Sequence, residues 1–155
     1  MNTKQLKLKI VTPEKLVLEE LVDEVIIPTT EGEIAVLPEH IPIVAGLKSG
    51  DVVGIVNGEH IPFAVVGGFV EVKNTLSGVQ HPTSYTEVVI LADFAEHVSE
   101  LSDEAIEKAK TRASELKKQM ENKEVIDFEH FETELERALT RVKIADKWRS
   151  KKYRK

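Results

Sequence analysis

Hydrophobic and polar residues alternate strictly near the start of the chain. In LKLKI (6–10), the two leucines and the isoleucine project to one side of an extended backbone and the two lysines to the other. A period of two residues is typical of a strand with one face in a core and one in solvent. The segment therefore predicts a half-buried β-strand.

Seven further short apolar runs follow before residue 98, and turn signals separate them at close intervals. These signals include Asn57-Gly58 and Gly67-Gly68. Asn-Gly between β-branched runs is the strongest short-range signal for a hairpin. The pattern predicts an all-β domain over residues 1–97, either an antiparallel sandwich or a barrel. Residues 74–86 are expected to form a protruding hairpin loop.

The hydrophobic period changes to helical spacing after residue 98. Ser102 is a candidate N-cap followed by two acids, and a second periodic segment begins after ENKEVIDFE. Each segment places its apolar residues in one stripe along a helix. Two such stripes predict an antiparallel helical hairpin over residues 98–155, which would be marginally stable alone because its core is narrow. The first stripe is Ala105, Ala109, Ala113, Leu116 and Met120, and the second is Phe128, Phe131, Leu135, Ala138, Val142 and Ala145.

Composition narrows the class of protein. The chain has no cysteine, so disulfides, thiolate metal sites and cysteine nucleophiles are excluded. Its apolar runs are shorter than the roughly 20 residues of a membrane-spanning helix, and the N-terminus lacks a signal-peptide pattern. The net charge of −6 argues against general nucleic-acid binding, but residues 98–155 carry 15 basic and 13 acidic residues. We therefore expect a globular chain with two halves of different character.

Candidate chemistry is sparse. Glu39-His40 could be an acid/base pair, or a metal site together with Glu59 and His60. The five histidines, however, show no spacing that would converge on an ion, and adjacent strand residues face opposite sides. A phosphate-binding glycine loop and a serine-nucleophile motif are also missing. The sequence predicts no catalytic residue, no metal, no nucleotide site and no cofactor, so we expect the chain not to be an enzyme.

The basic end, KWRSKKYRK (147–155), has three interpretations. Lys and Arg are favoured at the negative end of a helix dipole, so the segment could simply be a solvated helix terminus. Trp148 and Tyr153 among the cations would also suit nucleic acid or an anionic membrane. Docking to an acidic protein surface fits equally well.

Three segments in order carry a family resemblance: EGEIAVLPEHIPIVAGLKSG (31–50), VVGGFVEV (65–72) and VVILADFAE (88–96), followed by the two-helix tail. Together they resemble the epsilon subunit of the rotary ATP synthase. The resemblance implies a ten-stranded β-sandwich with a C-terminal helical hairpin. It also implies a non-catalytic rotor subunit that couples proton or sodium flow to ATP synthesis.

The same resemblance implies partners and interface residues. The gamma subunit and the c-ring would bind at one end of the sandwich, where Glu31, Gly32, Glu33 and His40 would form the interface. The hairpin would inhibit ATP hydrolysis by bringing basic side chains to the alpha/beta catalytic head. Those side chains are Lys147, Arg149, Lys151 and Lys152.

The family resemblance also implies where the protein is located in the cell. The implied place is the cytoplasmic side of a bacterial plasma membrane, with peripheral attachment through the complex and no contact with nucleic acid. The missing transit peptide favours a bacterial over a plastid source.

Two departures from the family pattern bear on function. Pro38-Glu39-His40 stands where the family usually has Pro-Gly-His, which adds a charge beside the implied interface. Ser102 and Ala105 occupy the Asp and Arg positions of members that sense ATP.

A free-standing ligand-binding sandwich with a helical dimerisation hairpin is the alternative from another class of function.

Overall fold

The structure is a computed structural model that describes residues 4–77, 83–123 and 127–152. The chain divides into two compact units, Met1–Ala95 and Glu96–Lys155. The strands are β1 (Leu6–Val11), β2 (Leu16–Val22), β3 (Glu24–Thr29), β4 (Gly32–Val36), β5 (Ile43–Gly46), β6 (Gly50–Val56), β7 (Glu59–Val66), β8 (Phe69–Ser77), β9 (Thr83–Leu91) and β10 (Phe94–His97). A 3₁₀ turn (Val98–Glu100) and the helices α1 (Asp103–Glu121) and α2 (Phe128–Lys152) follow.

Ten strands in two five-stranded sheets confirm the sandwich. The first sheet has the order β2-β1-β9-β8-β5 and the second β10-β7-β6-β3-β4. Most described pairs are antiparallel, as expected, but β1 and β9 run parallel. That pairing joins segments far apart in the sequence, where local turn signals carry no information.

The alternation of LKLKI is confirmed by burial. Leu6, Leu8 and Ile10 have no exposed surface, and they pack in one core with the inward residues of the other strands. Branched aliphatic residues fill both inner faces, as sheet-on-sheet packing requires. The core includes Val22, Val25, Ile27, Val36, Val52, Phe63, Val65, Val70, Val72, Val88 and Ile90.

Two predicted turns form where expected. Asn57 and Gly58 have φ of 51° and 80°, and they connect β6 and β7. Gly67 and Gly68, also at positive φ, connect β7 and β8. For the paired strands β6 and β7, positive φ at both central residues gives the two-residue hairpin the twist of its flanking strands. Strands β7 and β8 belong to different sheets, so the Gly67-Gly68 turn carries the chain from one sheet to the other.

The prediction of a protruding loop over residues 74–86 is wrong for most of that segment. Residues 74–77 extend β8 and residues 83–86 belong to β9, in register from Asn74↔Thr86 to Ser77↔Thr83. Thr and Tyr are good strand formers, so the ladder continues past the point where the hydrophobic alternation stops. The remaining part, 78–82, lies outside the described residues.

The second unit contains the predicted hairpin. The Ser102 hydroxyl accepts the Ala105 N–H at 3.1 Å and caps α1. Ala109, Ala113 and Ala138 form a buried seam between the helices, with Leu135 and Val142 packed against it. Two members of the predicted stripes are instead exposed, Met120 at the end of α1 and Phe128 at the start of α2, because the helix ends extend beyond the seam. Among the described residues, no helix is both long enough and apolar enough to cross a membrane.

Candidate docking surfaces

The β3–β4 connection forms a rigid acidic turn. Buried Thr29 donates its hydroxyl proton to the Gly32 carbonyl at 2.5 Å and accepts the Glu31 N–H at 3.3 Å. Gly32 has φ of +120°, a backbone state that favours glycine, although a Cβ there would meet no atom within 4 Å. Glu31, Gly32 and Glu33 are all exposed. The fold therefore presents two carboxylates on a turn of fixed shape.

Backbone hydrogen bonds tie this acidic turn to neighbouring connections. The Thr30 N–H donates to Gly46 at 3.0 Å, and the Leu47 N–H donates to Gly68 at 2.9 Å. The β3–β4 turn, the β5–β6 connection and the β7–β8 turn thus lie together at one end of the sandwich. We call this end the acidic-turn end.

His40 lies at the opposite end, which corrects the expectation that the whole segment faces one way. Strand β4 runs from Gly32 to Val36 before the chain reaches His40, and five extended residues span roughly 16 Å. The His40 carbonyl accepts a hydrogen bond from Asn74, well along β8 from its start at Phe69. The motif is continuous in sequence, but an intervening strand separates its two parts in space.

The outer face of the first sheet carries an apolar row that the sequence analysis missed. Leu16, Val11, Leu91 and Phe69 lie side by side on β2, β1, β9 and β8, each directly opposite the next. Leu16 is 53% exposed, Leu91 52% and Phe69 61%. The row lies at the acidic-turn end, because Phe69 follows the Gly67-Gly68 turn. Exposed apolar side chains that are contiguous mark interaction surfaces more often than scattered ones do.

Ion pairs lie farther along the same outer face. Lys7 Nζ lies 2.6 Å from Glu19, and Glu87 is bracketed by Lys9 at 3.0 Å and Lys73 at 3.4 Å. Burial alone would raise the pKa of the Glu87 carboxyl, but the hydrogen bonds and charges of the two lysines outweigh burial and lower it. These charged groups are therefore paired with one another, whereas the neighbouring row presents apolar side chains to solvent.

Charged pairs connect the two helices of the hairpin. The Arg112 guanidinium contacts both carboxylate oxygens of Glu134, at 2.6 and 3.0 Å. Arg149, in the last turn of α2, donates to Asp103 in the first turn of α1. The helix dipole favours both residues of this pair, since the acidic Asp103 lies at a positive helix start and the basic Arg149 at a negative helix end.

The predicted basic contacts are partly occupied within the hairpin. Lys147, Arg149 and Lys151 are exposed, but Arg149 pairs with Asp103 and the Lys151 ammonium lies 4.4 Å from the centre of the Trp148 ring. Lys152 ends α2, and its side chain lies outside the described residues. Part of this cluster would have to exchange partners before it could bind another protein.

Two basic residues near the start of α1 have acidic partners. Lys108 pairs with Glu104 at 2.8 Å, and Arg112 is held by Glu134 and Glu115. Both nearby cations that could bind phosphate thus have carboxylate partners. Across the described ranges, no cluster of three or more histidine or acidic side chains could hold a metal ion.

An exposed apolar row beside a polar turn is the kind of surface with which proteins bind other proteins. Residues 5–98 match the family model for the β-sandwich domain of the ATP synthase delta/epsilon chain. The ATP synthase epsilon chain of Desulforamulus reducens is 38% identical over 90% of this chain and 96% of its own length. That of Dehalococcoides mccartyi is 38% identical over 94% and 95%. The chain belongs to the ATP synthase epsilon chain family.

A solved structure has a similar fold. A chain in the Euglena gracilis mitochondrial ATP synthase structure of OSCP, F1 and c-ring superposes with a TM-score of 0.60 and 23% identity. The superposition covers 96% of this chain and 82% of that one. At this identity the likeness supports the fold.

Proposed function

We propose that this chain is a non-catalytic rotor subunit of an ion-driven ATP synthase, bound to the gamma subunit and the c-ring. Its sandwich would transmit rotation between them and so couple ion flow to ATP synthesis. The chain would be peripheral to the bacterial plasma membrane, on its cytoplasmic side, and held there through the complex. Family membership supports the complex, and the surface of the sandwich supports the docking role.

The observation that carries this proposal is the apolar row beside the acidic turn. Covering Phe69, Leu91 and Leu16, each about half exposed, would contribute roughly 1 kcal/mol per side chain. The carboxylates of Glu31 and Glu33 add polar contacts at the rim, where charge guides orientation more than affinity. An apolar centre with a polar edge is the usual organisation of a protein interface.

A preformed turn strengthens the case for Glu31, Gly32 and Glu33 as interface residues. The two Thr29 hydrogen bonds fix the turn before any partner arrives, so docking would lose little conformational entropy there. His40, at the other end of the sandwich, would contact the gamma subunit at a place separate from the contact of Glu31.

The hairpin is proposed to inhibit ATP hydrolysis. Lys147, Arg149, Lys151 and Lys152 end α2 and would attract an acidic surface of the catalytic head. Because Arg149 pairs with Asp103 in the closed hairpin, that contact would require the helix pair to loosen.

Substitutions in the row test the docking surface. Phe69→Glu and Leu91→Glu should each weaken binding to purified gamma by about tenfold or more, since a carboxylate would be desolvated at the interface. Leu21→Glu is the matched control, because Leu21 is 58% exposed on the same sheet but lies opposite Lys7 among the ion pairs. Binding is measured by calorimetry and folding by thermal melting. Equal gamma affinity in all three variants would refute the proposed surface.

A further inference from the structure

The chain reverses direction at Leu37–His40 with an unexpected residue in the turn. The His40 N–H donates to the Leu37 carbonyl at 3.1 Å, Pro38 occupies the second position and Glu39 the third. Glu39 has φ of 70°. A proline followed by a residue of positive φ is the pattern of a type II turn, whose third position strongly favours glycine. Glutamate carries a Cβ and is disfavoured there, so the surrounding structure must hold this form.

A buried threonine supplies that restraint. Thr86 is 2% exposed, and its hydroxyl accepts the Glu39 N–H at 2.6 Å while donating to Asn74 Oδ1 at 3.0 Å. The Asn74 amide in turn donates to the His40 carbonyl at 3.3 Å. Two of these hydrogen bonds connect paired strand residues to the middle and the end of the turn, and the third joins the two strand residues to each other.

The direction of the Glu39 N–H distinguishes the two common turn types. Types I and II share the bond from the fourth residue to the first, but their central peptide planes differ by about half a rotation. In a type I turn the Glu39 N–H would point away from Thr86 and the 2.6 Å bond would be lost. The Thr86 hydroxyl thus selects the type II form, although residue 39 is not glycine.

We propose that Thr86 is a positioning residue for the His40 interface: it selects the type II turn and, together with Asn74, holds the turn backbone that carries His40. Leu37 is 53% and Ile41 70% exposed, so two apolar side chains that a partner could cover lie close to the histidine in sequence. This inference rests on the proposed function, which places His40 in contact with the gamma subunit.

Lys4 offers the competing explanation for the turn. Its ammonium lies 2.5 Å from the Glu39 carboxylate, but both side chains are largely exposed, and exposed ion pairs stabilise proteins little. Lys4→Gln is therefore the matched control for Thr86→Val, which removes the hydroxyl at nearly constant volume. Thr86→Ser keeps the hydroxyl and should behave like the unsubstituted chain.

Two measurements test the proposal, amide hydrogen exchange in the isolated full-length chain and its affinity for gamma. In Thr86→Val, exchange at Glu39 should accelerate roughly two- to twelvefold, while exchange at His40 changes little because both turn types keep that bond. Gamma binding should weaken by a similar factor. Adding Glu39→Gly to Thr86→Val should restore binding, since Pro-Gly adopts the type II turn unaided.

Unaltered gamma affinity in Thr86→Val, or a loss that Glu39→Gly does not restore, would overturn the positioning role. Equal acceleration at Glu39 and His40 would also overturn it, because the change would then be general loosening. Failure of the proposed function would give a different result. Replacing Glu31, Glu33 and His40 together would then leave gamma binding intact, while Thr86→Val would still accelerate amide exchange selectively at Glu39.

Discussion

Gly68 shows how strongly one residue can constrain this sandwich. A Cβ at Gly68 would lie 1.8 Å from the backbone oxygen of Leu91, and its φ is +98°. Gly58 also has positive φ, +80°, but a Cβ there would meet nothing within 4 Å. The first glycine is required by contact and conformation, and the second by conformation alone.

Alanine at these two positions should separate the two requirements. Gly68→Ala is expected to lower the free energy of unfolding by about 3 kcal/mol or more, since the backbone beside Leu91 must move. Gly58→Ala should cost about 1 kcal/mol, the penalty for a side chain at positive φ. Denaturant unfolding of both variants measures the difference. Similar losses would show that the close approach to Leu91 is not maintained in solution.

The helical hairpin combines a small apolar seam with specific charges. The alanines of the seam contribute little area, although larger apolar side chains such as Leu116 and Phe131 are also buried in this unit. Interhelical ion pairs add to these apolar contacts. By donating hydrogen bonds to it, Arg112 lowers the pKa of the Glu134 carboxyl. The pair is partly exposed, so its contribution is screened by salt.

The lowered pKa of Glu134 predicts an acid-sensitive hairpin. Its stabilising contribution should be fully present above the ordinary glutamate pKa of 4.5 and be lost as pH falls through the lower value in the folded chain. Glu134→Gln should therefore reduce the acid loss of hairpin structure, reported by fluorescence of Trp148, the single tryptophan. Glu132→Gln, at an exposed position on the same helix, is the control and should retain the full acid response. The prediction fails if both variants respond alike.

At the scale of the molecule, the sequence predicted features that depend on a few neighbouring residues. Asn57-Gly58 specified a hairpin and Ser102 a helix start, because turn and cap chemistry is local. The apolar row was missed because Phe69 and Leu91 become neighbours only through the register of β8 and β9. Glu31 and His40 were grouped by the family resemblance, but a strand lies between them. The interface roles of both remain predictions.

The division into two units predicts separable functions. Truncation after Glu100 should raise ATP hydrolysis by the assembled synthase and leave synthesis largely intact, since the docking surfaces lie in the first unit. Replacing Lys147, Arg149, Lys151 and Lys152 by glutamine should give part of that increase, most clearly at low salt. Glutamine at Lys117 and Lys118, exposed on α1, is the control for loss of positive charge. Unchanged hydrolysis after truncation would remove the inhibitory role.

The stoichiometry of the complex with gamma tests the central claim most directly. A rotor subunit should form a one-to-one complex with gamma, whereas a free-standing ligand-binding module with a dimerising hairpin should form a homodimer and ignore gamma. Native mass spectrometry of the full-length chain, alone and mixed with gamma, distinguishes these states. We predict a one-to-one complex that Phe69→Glu weakens and Leu21→Glu preserves. A stable homodimer that does not bind gamma would contradict the account.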